Sequence, residues 1–358
     1  MPTAVNRVDL IQKLDAVQPG LSAREITEQS SSFIFRNGRV YTYNEDVACR
    51  IRSGLPKTFE GAVIAKPLQE ALGKMKSVMV DVTATDNRLV IKDKRGGTTR
   101  VLLDAKIKLP IDEVEKPVAD GWRPISPDFG QAVGLVQECA SKDESQNALT
   151  CVHLHPNWVE ACDLLQMSRY RIKTGLKKPI MVKRDSLKHV IAMDMTDFNE
   201  SEKWIHFKNP GGLVLSCLRY VDPYPHDQIT ALFKGFEGTR CDLPKGLDLL
   251  TELAHIFSKE DPDDDQITVE LMPGRMKVTG AGNSGDHTGF RKCGYDGPRL
   301  EFKIGPKLLA EITKKHTEAT FSREHLVVEA KRWQYLTALT APGKKAEPEV
   351  VTEDGEDA

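Results

Sequence analysis

Apolar residues recur along the chain with two periods, and the order of those periods repeats. A short apolar run over 62–64 predicts a strand, and Leu68, Leu72 and Met75 then fall at helical spacing, with Pro67 in the first turn where its fixed φ suits a helix start. Two strands follow over 88–92 and 99–103, with a turn at Gly96-Gly97. About 120 residues later the order returns: a strand over 179–183, a helix over 185–191, and strands over 203–207 and 213–218 around Gly211-Gly212. It returns again with a strand over 300–304, a helix over 305–312 and strands over 325–329 and 334–339. Leu68/Leu72, Leu187/Ile191 and Leu308/Ile312 keep one spacing, so the repeat lies in pattern and period rather than in shared letters.

A second helix marks each copy. The expected helices cover 5–17, with Leu10, Leu14 and Val17 on one stripe; 126–140, with Phe129, Val133 and Val136; and 247–258, with Leu249, Leu253 and Ile256. Strands are expected between the paired helices: 32–35, 39–43 and 47–51 in the first copy, with a turn at Asn37-Gly38; 149–154, 158–162 and 170–174 in the second; and 266–271, 275–279 and 289–293 in the third. Two helices against about eight strands per copy define an α+β fold of three repeated domains, 1–118, 119–240 and 241–341. Residues 342–358, acidic and without aromatics, read as a disordered tail.

Composition narrows the function only a little. A net charge of −2 is not that of a wholly basic nucleic-acid binder, but leaves room for one basic face. The N-terminus lacks an apolar signal core and no run approaches a membrane span, so no membrane role is expected. Seven cysteines without a CxxC pair fit free thiols in a reducing cytoplasm.

Motifs for catalysis are weak. Gly280, Gly282 and Gly285 match GxGxxG, but a strand-like segment follows where a dinucleotide site needs a helix N-terminus, which favours a glycine-rich hairpin. Cys151, His153, His155 and Cys162 have a loose metal-ligand look without the tight paired spacing of structural zinc. Residues 261–265 lack the glycine and terminal Glu of a calcium loop. No catalytic residue, metal site or cofactor is assigned. An enzyme using the glycine loop or the Cys/His cluster stays the weaker alternative, beside a repeat-built interaction scaffold without DNA binding.

The basic residues are more informative. The second helices carry Lys66, Lys74 and Lys76, then Lys183, Arg184 and Lys188, then Lys307, Lys314 and Lys315, while Arg7, Lys13 and Arg24 belong to the first helix and the loop after it. Such charge at equivalent places suits diffuse, sequence-independent phosphate contacts, with an ordinary solvated helix face as the alternative.

Three repeats of this length, with two helices each and Lys/Arg on the helices, resemble the bacterial-type DNA sliding clamp, the beta subunit and processivity factor of the replicative polymerase, from about residue 5 to 341. Residues 35–44 (Phe35-Arg-Asn-Gly-Arg-Val-Tyr-Thr-Tyr-Asn44) resemble the family's first-domain strand pair, and Val221-Asp-Pro-Tyr-Pro-His226 stands where the family has a Tyr-Pro-Asp segment. The resemblance implies a homodimer of three-domain subunits closed head to tail around duplex DNA, tethering a DNA polymerase and placed by a clamp loader in the cytoplasm or nucleoid. It also implies a partner-peptide pocket between the second and third domains, which maps to Arg171, Ile172, Phe233, Leu336 and Leu339. The family's Thr-Asp-Gly-His-Arg-Leu segment corresponds to Met167-Ser-Arg-Tyr-Arg-Ile172, where only Arg171 and the apolar Ile172 carry over. The family's C-terminal motif is replaced by Tyr335-Leu-Thr-Ala-Leu339 and the acidic tail, departures that point to a divergent member, a virus-encoded one included.

Overall fold

A computed structural model describes residues 2–341 except Asp86 and 260–265, and leaves the side chains of Glu311 and Lys315 undescribed. The acidic turn at 261–265 and the tail at 342–358 therefore lie outside the described residues. The seven α-helices among the described residues are α1 (Arg7–Ala16), α2 (Ala65–Lys74), α3 (Phe129–Val136), α4 (Arg184–Ala192), α5 (His226–Lys234), α6 (Leu247–Ser258) and α7 (Pro306–Lys315). Two compact units are distinguished in the chain, and they divide it along lines other than the repeats. Of the described residues, the first unit holds those within 2–134, 151–157 and 173–222, and the second those within 135–150, 158–172 and 223–341.

The first unit is organised by one antiparallel sheet. Its strand order is Thr3–Asn6, Met79–Thr85, Arg88–Asp93, Thr98–Asp104, Gly61–Ile64, Ser32–Arg36, Arg39–Tyr43, Val47–Arg52, Val214–Leu218, Trp204–Lys208, Asp197–Glu200 and Arg123–Pro124. Val47–Arg52 pairs directly with Val214–Leu218, so strands of the first two repeats share one sheet. Strand Cys151–His155 pairs with Ile180–Lys183. The α1 stripe goes to the core, with Leu14 and Val17 fully buried, and Asn6 caps α1 by accepting from the N–H groups of Val8 and Asp9. In α2, Leu68 and Leu72 are buried as their spacing requires. Asn37 and Gly38 both have positive φ, the turn chemistry the Asn-Gly pair signals. The strand before Arg88–Asp93, Met79–Thr85, is missing from the sequence reading although its buried Val80 and Val82 alternate with half-exposed Asp81 and Thr83.

In the second unit one sheet runs Trp158–Cys162, Gln166–Arg171, Trp333–Ala338, His325–Glu329, Glu318–Phe321, Thr239–Asp242 and Gly294–Tyr295. A second sheet runs Gly285–Lys292, Arg275–Gly282, Ile267–Met272 and Leu300–Ile304, and α6 packs on it. The strand expected over 170–174 is instead Gln166–Arg171. The α3 helix is shorter than the expected 126–140 and ends in a 3-10 turn, Gln137–Cys139. In α7 the buried residues include Leu309 and Ile312, and Leu308 is only half-buried.

The phase of α6 corrects the sequence reading. Leu249, Leu253 and Ile256 are exposed, and the helix buries Leu247, Leu250, Thr251, Ala254 and Ser258. The buried stripe uses small residues because the approach is close: a Cβ on Gly280 would lie 1.9 Å from the Ala254 carbonyl oxygen.

Candidate protein-binding cleft and basic helix faces

In the second unit an apolar cluster forms where three strands meet a helix. Cross-strand pairing places Met167 beside Leu336 and Leu336 beside Val327, and Ile229 of α5 covers them together with Cys162. Leu149, Tyr224, Phe233 and Phe236 pack on its margin. Beside it opens a cleft of about 560 Å³, floored by Leu336 and walled by Leu232 and Phe236 of the α5 region and by Arg323 to His325. Its volume lies within the range of peptide-sized and ligand-sized pockets.

A buried polar network fixes α5 to this sheet. Glu160 and Arg169 are cross-strand partners, and Arg169 Nε donates to the Glu160 carboxylate at 2.7 Å. The other Glu160 oxygen lies 2.7 Å from His226 Nδ1, and Arg169 Nη2 donates to Thr230 Oγ1 at 2.9 Å. His226 and Thr230 are one helical turn apart on α5, so both ends of the charged pair reach the same helix face. The guanidinium also lies over the rings of Trp158 and Phe233, and Trp158 stacks on His226. A fully buried carboxylate is tolerated because charged and hydrogen-bonding partners surround it. Burial pushes the thiol of Cys162 up to about 11, which keeps it neutral in the apolar cluster.

The expected pocket residues are only partly gathered here. Phe233 and Leu336 belong to the apolar cluster. Arg171 is exposed at the end of its strand, where its N–H donates to the Arg332 carbonyl, and Ile172 and Leu339 are buried outside that cluster. Sequence reading missed α5, with Ile229, Leu232 and Phe236, and the Glu160–Arg169–His226 network. The spacing of Ile229, Leu232, Phe233 and Phe236 was the available signal.

The basic residues divide by environment. Arg24, Lys66, Lys74, Lys76 and Lys307 are exposed and make no ion pair among the described residues. Lys13, Lys188 and Lys314 pair with Asp9, Asp185 and Glu252 in partly exposed bridges. Arg184 is half-buried at the start of α4. Two others are committed internally. Arg7 donates to the carbonyls of Leu72 and Ser77, at the C-terminal end of α2, and Lys183 pairs with Asp46 at 3.0 Å beneath Tyr220. The side chain of Lys315 is among those not described.

The glycine-rich stretch is a hairpin. Gly280 and Gly282 lie in Arg275–Gly282, Gly285 begins Gly285–Lys292, and Gly282 pairs with Gly285 across a two-residue turn. No helix begins there, so the phosphate-binding geometry of a dinucleotide loop is missing. Cys151, His153 and His155 do alternate onto one strand face, with the two imidazole rings 6.3 Å apart. Among the described residues no helix is long and apolar enough to cross a membrane.

The fold is that of the bacterial DNA sliding clamps. Solved structures with this architecture include a putative DNA polymerase III beta subunit from Eubacterium rectale (TM-score 0.80, 13% identity, 95% of this chain and 99% of that one). They also include a DnaN sliding clamp from Bartonella birtlesii bound to griselimycin (TM-score 0.80, 14% identity, 95% and 99%) and the DNA polymerase III beta subunit of Thermotoga maritima (TM-score 0.77, 14% identity, 95% and 99%). No protein-family model matches the sequence, and no curated protein matches it significantly.

Proposed function

We propose that this chain is a DNA sliding clamp, a non-catalytic ring that holds a DNA polymerase on its template. In this reading residues 1–118, 119–240 and 241–341 are three clamp domains, and two subunits join head to tail around duplex DNA. A clamp loader would place the ring, and the α5 cleft would receive a partner's apolar peptide. The observation that carries the reading is the likeness to clamp structures over 95% of the chain. Positive charge on α2, α4 and α7, the equivalent helices of the three repeats, supports it.

Two surfaces support self-association. The exposed Leu249, Leu253 and Ile256 make an apolar stripe on α6, next to the free edge of strand Gly285–Lys292 with its exposed Phe290. In the first unit, strand Thr98–Asp104 meets Gly61–Ile64 only through Leu103 and Asp104, so residues 98–102 are also an edge and include exposed Leu102. Exposed apolar groups beside unpaired strand edges are what a subunit interface covers.

The decisive experiment is retention on circular against linearised duplex DNA after loading. A dimer that stays on circles and runs off linear ends is expected. Equal retention on both forms would overturn the proposal.

A further inference from the structure

In the first unit, strands Arg39–Tyr43 and Val47–Arg52 have two chemically different faces. Thr42 and Cys49, cross-strand partners, face inward, and Thr42 Oγ1 donates to the Val17 carbonyl. The opposite face carries Arg39 opposite Arg52 and Tyr41 opposite Arg50. Across the sheet junction Val214 opposes Arg50 and Lys208 opposes Val214, so Lys208 shares that face two strands away, roughly 10 Å. Residues 116–122 cross this face and enclose with it a cleft of about 810 Å³.

Two cations of the cleft are paired, Lys13 with Asp9 at 2.7 Å and Lys208 with Asp197 at 3.9 Å, and the others are not compensated. Among the described residues no carboxylate pairs with Arg39, Arg50, Arg52 or Lys116. Asp120 is the acid in the lining, and the adjacent Glu115 is engaged elsewhere, accepting from the Lys203 N–H at 2.9 Å and from Ser201. Arg50 is half-buried, with its Nε buried and bonded to nothing. Burial, and then the charge of Arg39, lower its pKa, which expresses the cost of holding that cation there. A desolvated donor without an acceptor and converging guanidinium groups of one sign are satisfied together by an anion. Guanidinium forks match phosphate oxygens in pairs, which favours phosphate over a diffuse counterion. The cleft also holds an aromatic surface, Trp122, whose ring lies 4.6 Å from Lys208 Nζ.

We propose that this cleft binds the phosphodiester backbone of single-stranded nucleic acid, with Arg39, Arg50, Arg52 and Lys208 on phosphates and Trp122 against a base. This combination of a basic groove with a stacking ring is how single strands are held without sequence preference. The site touches the basic helix faces only through Lys13 of α1 and needs no encirclement, so it stands or falls independently of the clamp reading.

The test is fluorescence anisotropy of an end-labelled oligo(dT) of about eight nucleotides, titrated with the full chain at several salt concentrations. Replacing Arg39, Arg50 and Arg52 by Gln should weaken binding at least tenfold and flatten the logarithmic salt slope by about 2, at roughly 0.7 for each phosphate no longer neutralised. Trp122→Ala should weaken binding severalfold, and removing the same number of charges at Lys92, Lys94 and Arg95 should change it less than twofold. If the triple variant does not fold, the single change R52E at an exposed position should weaken binding severalfold and flatten the slope by about 0.7. Unchanged affinity in the arginine variants overturns the proposal. So does displacement by inorganic tripolyphosphate at equal phosphate concentration with no effect of Trp122→Ala, which would assign the cleft to free polyphosphate.

Discussion

His206 carries a pH signature that belongs to one side chain. Its ring is fully buried, with Nδ1 2.8 Å from Ser216 Oγ and Nε2 3.0 Å from Ser201 Oγ. Burial first, and then the nearby Arg50 charge, lower its pKa to about 4. The unfolded chain has an ordinary histidine, near 6.5, so between those values the unfolded state binds more protons and stability falls as pH falls. Above pH 7 the residue contributes nothing to pH dependence, and by pH 4 the accumulated loss is about 3 kcal/mol. Urea unfolding at pH 5 and 7 should show His206→Gln losing about 2 kcal/mol less than the parent over that interval. Equal losses in the two proteins would show that His206 is not held neutral. The Ser216 partner was not legible from the residue's neighbours in sequence, because it comes from strand pairing with Val214–Leu218.

At the scale of elements, period was legible and phase was not. The periodicity over 247–258 matches the helix to the residue, but it points the larger apolar residues toward the core. Thr251, Ala254 and Ser258 occupy that face because only small side chains let the helix backbone approach Gly280. That constraint comes from a strand outside the helix's own stretch of sequence. The α5 helix escapes a reading by repeats for another reason: it follows Pro223 and Pro225 and has no counterpart among the described residues of the other copies, so repeat logic treats it as a connection. With it goes most of the cleft, and among the residues of its apolar cluster only Phe233 and Leu336 are evident from the sequence. Leu232 gives a direct test, since it lines the cleft from α5 and is 45% exposed. Leu232→Glu should leave the melting temperature within a few degrees, because the side chain lies outside the buried core. It should shorten the products of primer extension by the cognate polymerase to those made without the protein. Full-length products with this variant would place the peptide elsewhere.

For the whole molecule, the repeat was the legible feature, since strand, helix and hairpin recur about every 120 residues. The sharing of one sheet by strands of two repeats was not, because it depends on the pairing of Val47–Arg52 with Val214–Leu218. Lys74, Lys188 and Lys314 lie on the equivalent helices α2, α4 and α7 and are exposed. Surface pairs such as Lys188–Asp185 contribute little to stability, about 1 kcal/mol at most. Changing all three lysines to Gln should therefore leave unfolding nearly unaltered while retention on nicked circles shortens severalfold at physiological salt. The salt slope of DNA binding should fall by about 3, near 0.9 for each duplex phosphate neutralised. An unaltered slope would remove these residues from the DNA path.

The stripe on α6 and the edge of Thr98–Asp104 are different surfaces on one chain, so a contact between them in two copies is heterologous. Nothing in such a contact limits its own propagation. Closure depends on the angle at which each copy presents one surface to the next, and a small error in that angle yields an open helical filament of the same subunits. A substitution that tilts α6 without weakening its apolar stripe would thus be read as polymer, long before it is read as monomer.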